Sequence, residues 1–102
     1  VDTAALVSVI HDPERRRFVA RVQGREAYLA YALAGDGLLD YQSTYVPPAL
    51  RERHIASTLA RHALDYARRQ GWKVIPSCWF VAGYVERHPE YADLLEGGGP
   101  AA

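Results

Sequence analysis

The sequence predicts an α+β domain: an antiparallel meander of four strands, a long helix, a fifth strand parallel to the fourth, and a short C-terminal helix. Three observations predict it. Short stretches rich in β-branched and alternating residues, separated by turn clusters, fill the first half of the chain. After Pro47-Pro48 the apolar period changes to 3.6. The segment 38–78 then reads strand–helix–strand, which pairs in parallel through a right-handed crossover. A meander feeding one crossover gives a layered α+β arrangement.

Each element has a local reason. Ala5 to Ile10 (ALVSVI) is β-rich and precedes the turn cluster His11-Asp12-Pro13-Glu14. Arg17 to Val22 alternates apolar and polar residues, so the two runs form a hairpin. Gln23-Gly24-Arg25 is a second turn. Glu26 to Leu33 fits strand or helix by period, but close turn signals make it short and therefore strand. Gly35-Asp36-Gly37 is a third turn. Leu38 to Val46 is the fourth strand, stopped by two prolines that donate no ladder bond. Ile55, Leu59, Ala63 and Tyr66 then fall on one helical stripe, flanked by Ala56, Ala60 and Ala67. Arg53, Ser57, Arg61, Asp65 and Arg68 fall opposite, giving a solvent-facing helix of about 18 residues. Gly71 is its natural stop. Trp72 to Cys78 reads as a strand containing a proline, Trp79 to His88 as a helix ending before Pro89, and Tyr91 to Leu95 as one more turn.

Composition narrows the function classes. The chain has 102 residues, of which 1–96 read as one domain and 97–102 (GGGPAA) as a tail. Apolar residues make up 49%, which excludes a disordered chain. Net charge is zero, without the basic surplus of a nucleic-acid binder. A single cysteine allows no internal disulfide and no zinc knuckle, and suits a reducing, cytoplasmic setting. No run of about 18 apolar residues spans a membrane, and Val1-Asp2-Thr3 carries no leader signature. His11, His54, His62 and His88 lack metal-ligand spacing, and there is no GxSxG for a serine hydrolase.

Three places carry candidate chemistry. The start of the long helix, near Arg51 and Arg53, offers unpaired N–H groups and the positive end of the dipole to a phosphate. Every helix has such an end, so the signal is weak alone. Pro76 inside the fifth strand removes a ladder bond, which splays the fourth and fifth strands and leaves Cys78 near the gap. The plain alternative is that Pro76 ends the strand and Cys78 is a small buried hydrophobe. The stretch from Tyr84 through Glu86-Arg87-His88 to Tyr91 gathers acid–base groups, though Arg87 and His88 also suit an ordinary helix C-terminus.

Together, "STYVPPALRERHIASTLARHALDYARRQGWKVIP", "PSCWFVAGYVERHPEY" and the weaker "AYLAYALAGDGLLDY" resemble the GNAT superfamily of acyl-CoA-dependent N-acetyltransferases. The resemblance is to its short single-domain branch, sometimes called YjdJ-type or plant-like. It implies a GNAT-like fold with acetyl-CoA (coenzyme A) in the splay. The pantetheine arm would lie near Thr44, Tyr45 and Val46, and the pyrophosphate on Arg51, Glu52, Arg53, His54, Ile55 and Ala56. Cys78 would stand close to the thiol end. Two departures from the family pattern matter. The turn R-G-x-G-x-A reads Arg51-Glu52-Arg53-His54-Ile55-Ala56 here, with both glycines replaced. The histidine–threonine–glutamate before valine–proline reads Ser43-Thr44-Tyr45, so the usual acidic base is absent.

The turn still offers its backbone N–H groups. If Glu52 and His54 are ordinary right-handed helix, their conformational cost is small. A carboxylate about 5 Å from a phosphate costs on the order of 3 kcal/mol at an effective dielectric near 20. Arg51 and Arg53 offset it. The expected reaction is acetyl transfer to an amine of a small molecule or protein. A backbone N–H near Val46 would polarise the carbonyl, and Tyr84 would protonate the leaving thiolate. His54 or His88 would act through water as base, and direct transfer is preferred to an acyl-Cys78 route. The rival classes are a non-catalytic acyl-CoA-binding domain and a partner-binding module on the arginine-rich helix face (Arg53, Arg61, Arg68, Arg69). The expected assembly is a monomer or weak homodimer.

Overall fold

The computed structural model describes residues 8–50 and 54–96. In order it has β1 (Val9–Asp12), β2 (Arg17–Val22), β3 (Arg25–Gly35), β4 (Leu38–Tyr45), a 3-10 turn (Pro48–Leu50), α1 (Ile55–Gln70), β5 (Lys73–Ile75), α2 (Trp79–Arg87) and a 3-10 segment (Pro89–Leu94). The sheet runs β1-β2-β3-β4-β5, antiparallel except for the parallel β4–β5 pair. The expected meander, crossover helix and parallel fifth strand are all present.

Local chemistry sets the turns. Gln23 and Gly24 are both left-handed, the two-residue turn whose twist suits a hairpin. Gly71 closes α1 in the left-handed region, its N–H reaching the carbonyls of Ala67 and Arg68. One face of the sheet alternates into the core through Phe18, Ala20, Ala27, Leu29, Tyr31, Leu39 and Tyr41. From α1, Ile55, Leu59, Ala60, Ala63, Leu64 and Ala67 meet them. Full burial of such a leucine or isoleucine stabilises the fold by about 1.5–3 kcal/mol relative to exposure. The Tyr41 hydroxyl enters this core and donates to the Ala63 carbonyl at 2.5 Å. Between the buried residues, Arg17, Val19, Tyr28 and Ala30 lie on the other face and are only half-buried.

Four expectations shift. The first strand extends through His11 and Asp12, because these pair with Phe18 and Arg17, and the turn begins at Pro13. Its expected start, Ala5 to Val7, lies outside the described residues. The fifth strand stops at Ile75, so Pro76 follows it and does not interrupt it. Cys78 is accordingly the N-cap of α2 and not a strand residue. The face of α1 opposite the core is not wholly solvated. Asp65 accepts the Tyr91 hydroxyl at 2.7 Å, and Arg68 grips Asp93 and the Glu90 carbonyl, so the C-terminal segment covers that flank.

Candidate functional site

Strands β4 and β5 pair at Leu38↔Lys73, Leu39↔Val74 and Asp40↔Ile75, and no further among the described residues. Proline follows at once and has no N–H to continue the ladder. One more backbone bond, from the Cys78 N–H to the Tyr41 carbonyl at 2.8 Å, ties the two chains before they part. Beyond it a cavity of about 370 Å³ opens. Residues 42–46 form one wall, residues 77–80 the other, and Ala56 in the first turn of α1 also lines it.

A bulge shapes the β4 wall. Ala30 pairs with Ser43 and Tyr31 with Tyr41, so Gln42 is one residue too many. An extra residue reverses which later side chains face inward. Thr44, opposite Leu29, is thereby turned toward the helices, where its hydroxyl shares a 3.4 Å hydrogen bond with the Cys78 sulfur. Tyr45 turns to the open face and pairs with Tyr28, ring centroids 5.6 Å apart. Cys78 is only 5% exposed, while Trp79 beside it is 83% exposed. Ser77 donates to the Asp40 carboxylate at 2.6 Å across the point where the strands separate.

The structure places the sequence-derived residues in three groups. Thr44, Tyr45, Val46, Ala56 and Cys78 line the one cavity. His54 and Tyr84 line a second recess of about 140 Å³, with Ser57, Thr58 and Arg61. Burial raises the Tyr84 phenol above its ordinary value, with Arg61 opposing. His88 lines neither; it stacks on Tyr84 with centroids 4.1 Å apart, and its Nδ1 stands 3.8 Å from Glu90. Ile55 points into the core, leaving only its backbone to a ligand. Arg51, Glu52 and Arg53 lie outside the described residues.

His54 departs from the expected right-handed helix. It caps α1 with φ 56° and ψ 28°, in the left-handed region. That is where the second glycine of the family turn would stand, and where a Cβ is unfavourable by roughly 1–2 kcal/mol. The His54 carbonyl holds the first turn by accepting both the Thr58 N–H (3.1 Å) and hydroxyl (3.0 Å).

Asp40, Gln42, Ser43, Ser77, Trp79 and Phe80 were given no site role by the sequence. The Pro76-Ser77-Cys78 turn before an apolar helix was a usable signal for residues 77–80. The bulge at Gln42 has no sequence signature. Among the described residues no group of three His, Cys, Asp or Glu side chains could hold a metal ion, and no helix is long and apolar enough to cross a membrane.

A family model described as GCN5-related N-acetyl-transferase matches residues 17–94. The chain is 35% identical to Protein NATD1 of Xenopus tropicalis over 100 residues, covering 94% of this chain and 92% of that one. It is 39% identical to Protein NATD1 of Gallus gallus over 94 residues (88% and 86% covered). Against Protein NATD1 of Homo sapiens it is 37% identical over 94 residues (88% and 83% covered). Its backbone is similar to the NMR structure of a GCN5-like protein from Staphylococcus aureus, with TM-score 0.69, 20% identity and 88% of each chain covered. At that identity the likeness carries the fold alone.

Proposed function

This chain belongs to the GCN5-related N-acetyltransferase family, and on that premise we propose that it transfers an acetyl group from acetyl-CoA to an amine. The observation that carries the reading is the parted β4–β5 seam, whose walls bring residues 42–46, Ala56 and Cys78 to one cavity.

The residues suit an acyl-CoA. Past Asp40, β4 has lost its β5 partner, so an extended, amide-bearing arm can add alongside it as a strand would. Val46, Ala56 and Phe80 give the cavity apolar surface. The start of α1 adds the positive end of a helix dipole for an anionic group. When bound, acetyl-CoA supplies an acyl group already activated as a thioester. The chain's task is then chiefly to hold two reactants together, worth up to roughly 7–11 kcal/mol in favourable cases.

Direct transfer fits these walls better than an acyl-cysteine. A helix N-terminus or a basic neighbour activates a thiol; Cys78 caps α2, but no Lys, Arg or His is among the described residues lining the cavity to take its proton. We assign Tyr84 to the second recess, with His88 stacked on it and lining neither cavity. A phenol raised by burial is a poorer proton donor, so solvent protonates the departing thiolate.

Calorimetry and thermal shift with acetyl-CoA test the proposal. The wild type is expected to give saturable heat and a raised midpoint. Ala56→Trp, which fills the cavity from α1, is expected to weaken binding by about tenfold (about 1.4 kcal/mol) or more. No heat and no shift at millimolar ligand overturns the reading. Thiol release over a panel of amines then separates an enzyme from a binding domain, and Cys78→Ala is expected to keep its turnover.

A further inference from the structure

We propose that Ser77, held by Asp40, is the group that receives the N–H of the acceptor amine. This rests on the acetyl-transfer reading above, and supplies the carboxylate that the Ser43-Thr44-Tyr45 stretch lacks.

Ser77 is exposed and lines the cavity beside Cys78. A serine hydroxyl has one proton and two lone pairs. Its proton is committed to Asp40 at 2.6 Å, so toward the cavity Ser77 can only accept. An amine nitrogen is the reactant that brings an N–H to such a group. The half-buried Asp40 carboxylate adds negative charge behind Ser77, which favours a cationic or proton-shedding ligand. The titratable groups among the described residues lining the cavity are Tyr45 and Cys78; Asp40 stands behind Ser77 and does not line it. Lys73, on the neighbouring strand, spends its Nζ on the Asp93 carbonyl at 2.6 Å.

The proton bookkeeping closes. The amine nitrogen forms a C–N bond to the acyl carbon and the C–S bond breaks. The amine proton passes to Ser77 as the Ser77 proton passes to Asp40. The thiolate takes a proton from solvent, and Asp40 returns one. The products are an amide and a free thiol. Ser77 touches the substrate; Asp40 acts through it and is a positioning residue.

The experiment compares wild type, Asp40→Asn, Asp40→Glu and Ser77→Ala. Acetyl-CoA affinity, thermal midpoint and turnover with ethanolamine, tyramine and lysine amide are measured across pH. An asparagine oxygen still accepts the Ser77 hydroxyl, so Asp40→Asn keeps the clip and removes the charge and the basicity. It is expected to hold affinity and midpoint while kcat falls by about 10²–10⁴. Asp40→Glu is expected to recover part of the rate. Asp40→Asn at the wild-type rate overturns the inference. So does a Ser77→Ala variant that loses acetyl-CoA affinity, which would place Ser77 on the cofactor arm. Both outcomes leave acetyl transfer standing. A wild type that binds acetyl-CoA but serves no amine, or binds none, removes the acetyl-transfer reading and this one with it.

Discussion

Strands β4 and β5 run side by side for three residue pairs and then part. In the paired half, Leu39 and Val74 are completely buried, and the Val74 carbonyl accepts the Glu96 N–H at 3.0 Å. Asp93 ties that end further, bound to Arg68 through its carboxylate and to Lys73 through its carbonyl. In the open half, Gln42, Ser43, Tyr45, Ser77 and Trp79 are exposed. The contrast comes from two residues. Pro76 removes the next ladder donor, and Gln42 puts the following side chains out of phase. The fold is closed where backbone pairing and apolar packing agree, and open where each has been interrupted.

The sharpest way to break the contrast is to weaken the closed half. Leu39 is fully buried, between β3 and β5 in the sheet. Leu39→Ala deletes its packing and leaves a void, at an expected cost of about 2–5 kcal/mol in urea denaturation. Substituting the exposed Trp79 by alanine is the control for the open half, with an expected change within roughly 0.5 kcal/mol. Equal losses at the two positions would mean that the seam is one uniform surface.

Most of this architecture was legible, for physical reasons. The β2 boundaries fall where the alternation starts and stops, and α1 ends at the glycine placed for it. The break in strand pairing was readable from Pro76, although the proline follows the strand. The bulge was not readable, since any polar residue can occupy that position and Gln42 is ordinary. Its consequence is that Thr44, and not Ser43, reaches Cys78. The Asp40–Ser77 contact joins residues 37 apart in the chain, so it exists only once the sheet has formed. His54 failed differently. Its residue type gave no warning of a left-handed backbone, and only the family's glycine at that place hinted at one.

That position offers a smaller effect at the entrance to the open half. His54→Gly removes the left-handed strain, while the glycine adds freedom to the unfolded chain. The net gain is expected to be about 1 kcal/mol, raising the melting midpoint by roughly 4–8 °C. His54→Val, with a β-branched side chain in the same conformation, is expected to lower it. A midpoint unmoved by glycine would mean that His54 relaxes into right-handed helix.

Acid gives the gentlest effect, away from the seam, where β1 and α1 pack on Phe18. His11 stacks on Phe18 with centroids 4.6 Å apart and lies 2.6 Å from the Tyr31 hydroxyl, and His62 packs against the same phenylalanine. Burial lowers both imidazoles below their ordinary value, with Asp12 opposing it at His11 and Arg69 reinforcing it at His62. The unfolded chain therefore takes up protons near pH 6.5 that the folded chain still refuses. By linkage, stability is full above that pH, falls as pH drops through it, and levels off below the folded-state values. Asp93, held low by Arg68, adds its loss only in the carboxylate range. Neither histidine lines the cavity. Between pH 7.5 and 5.5 the melting midpoint is expected to fall, with a shallower slope in His62→Gln. A midpoint that holds or rises over this range would show that the two rings accept protons where they sit.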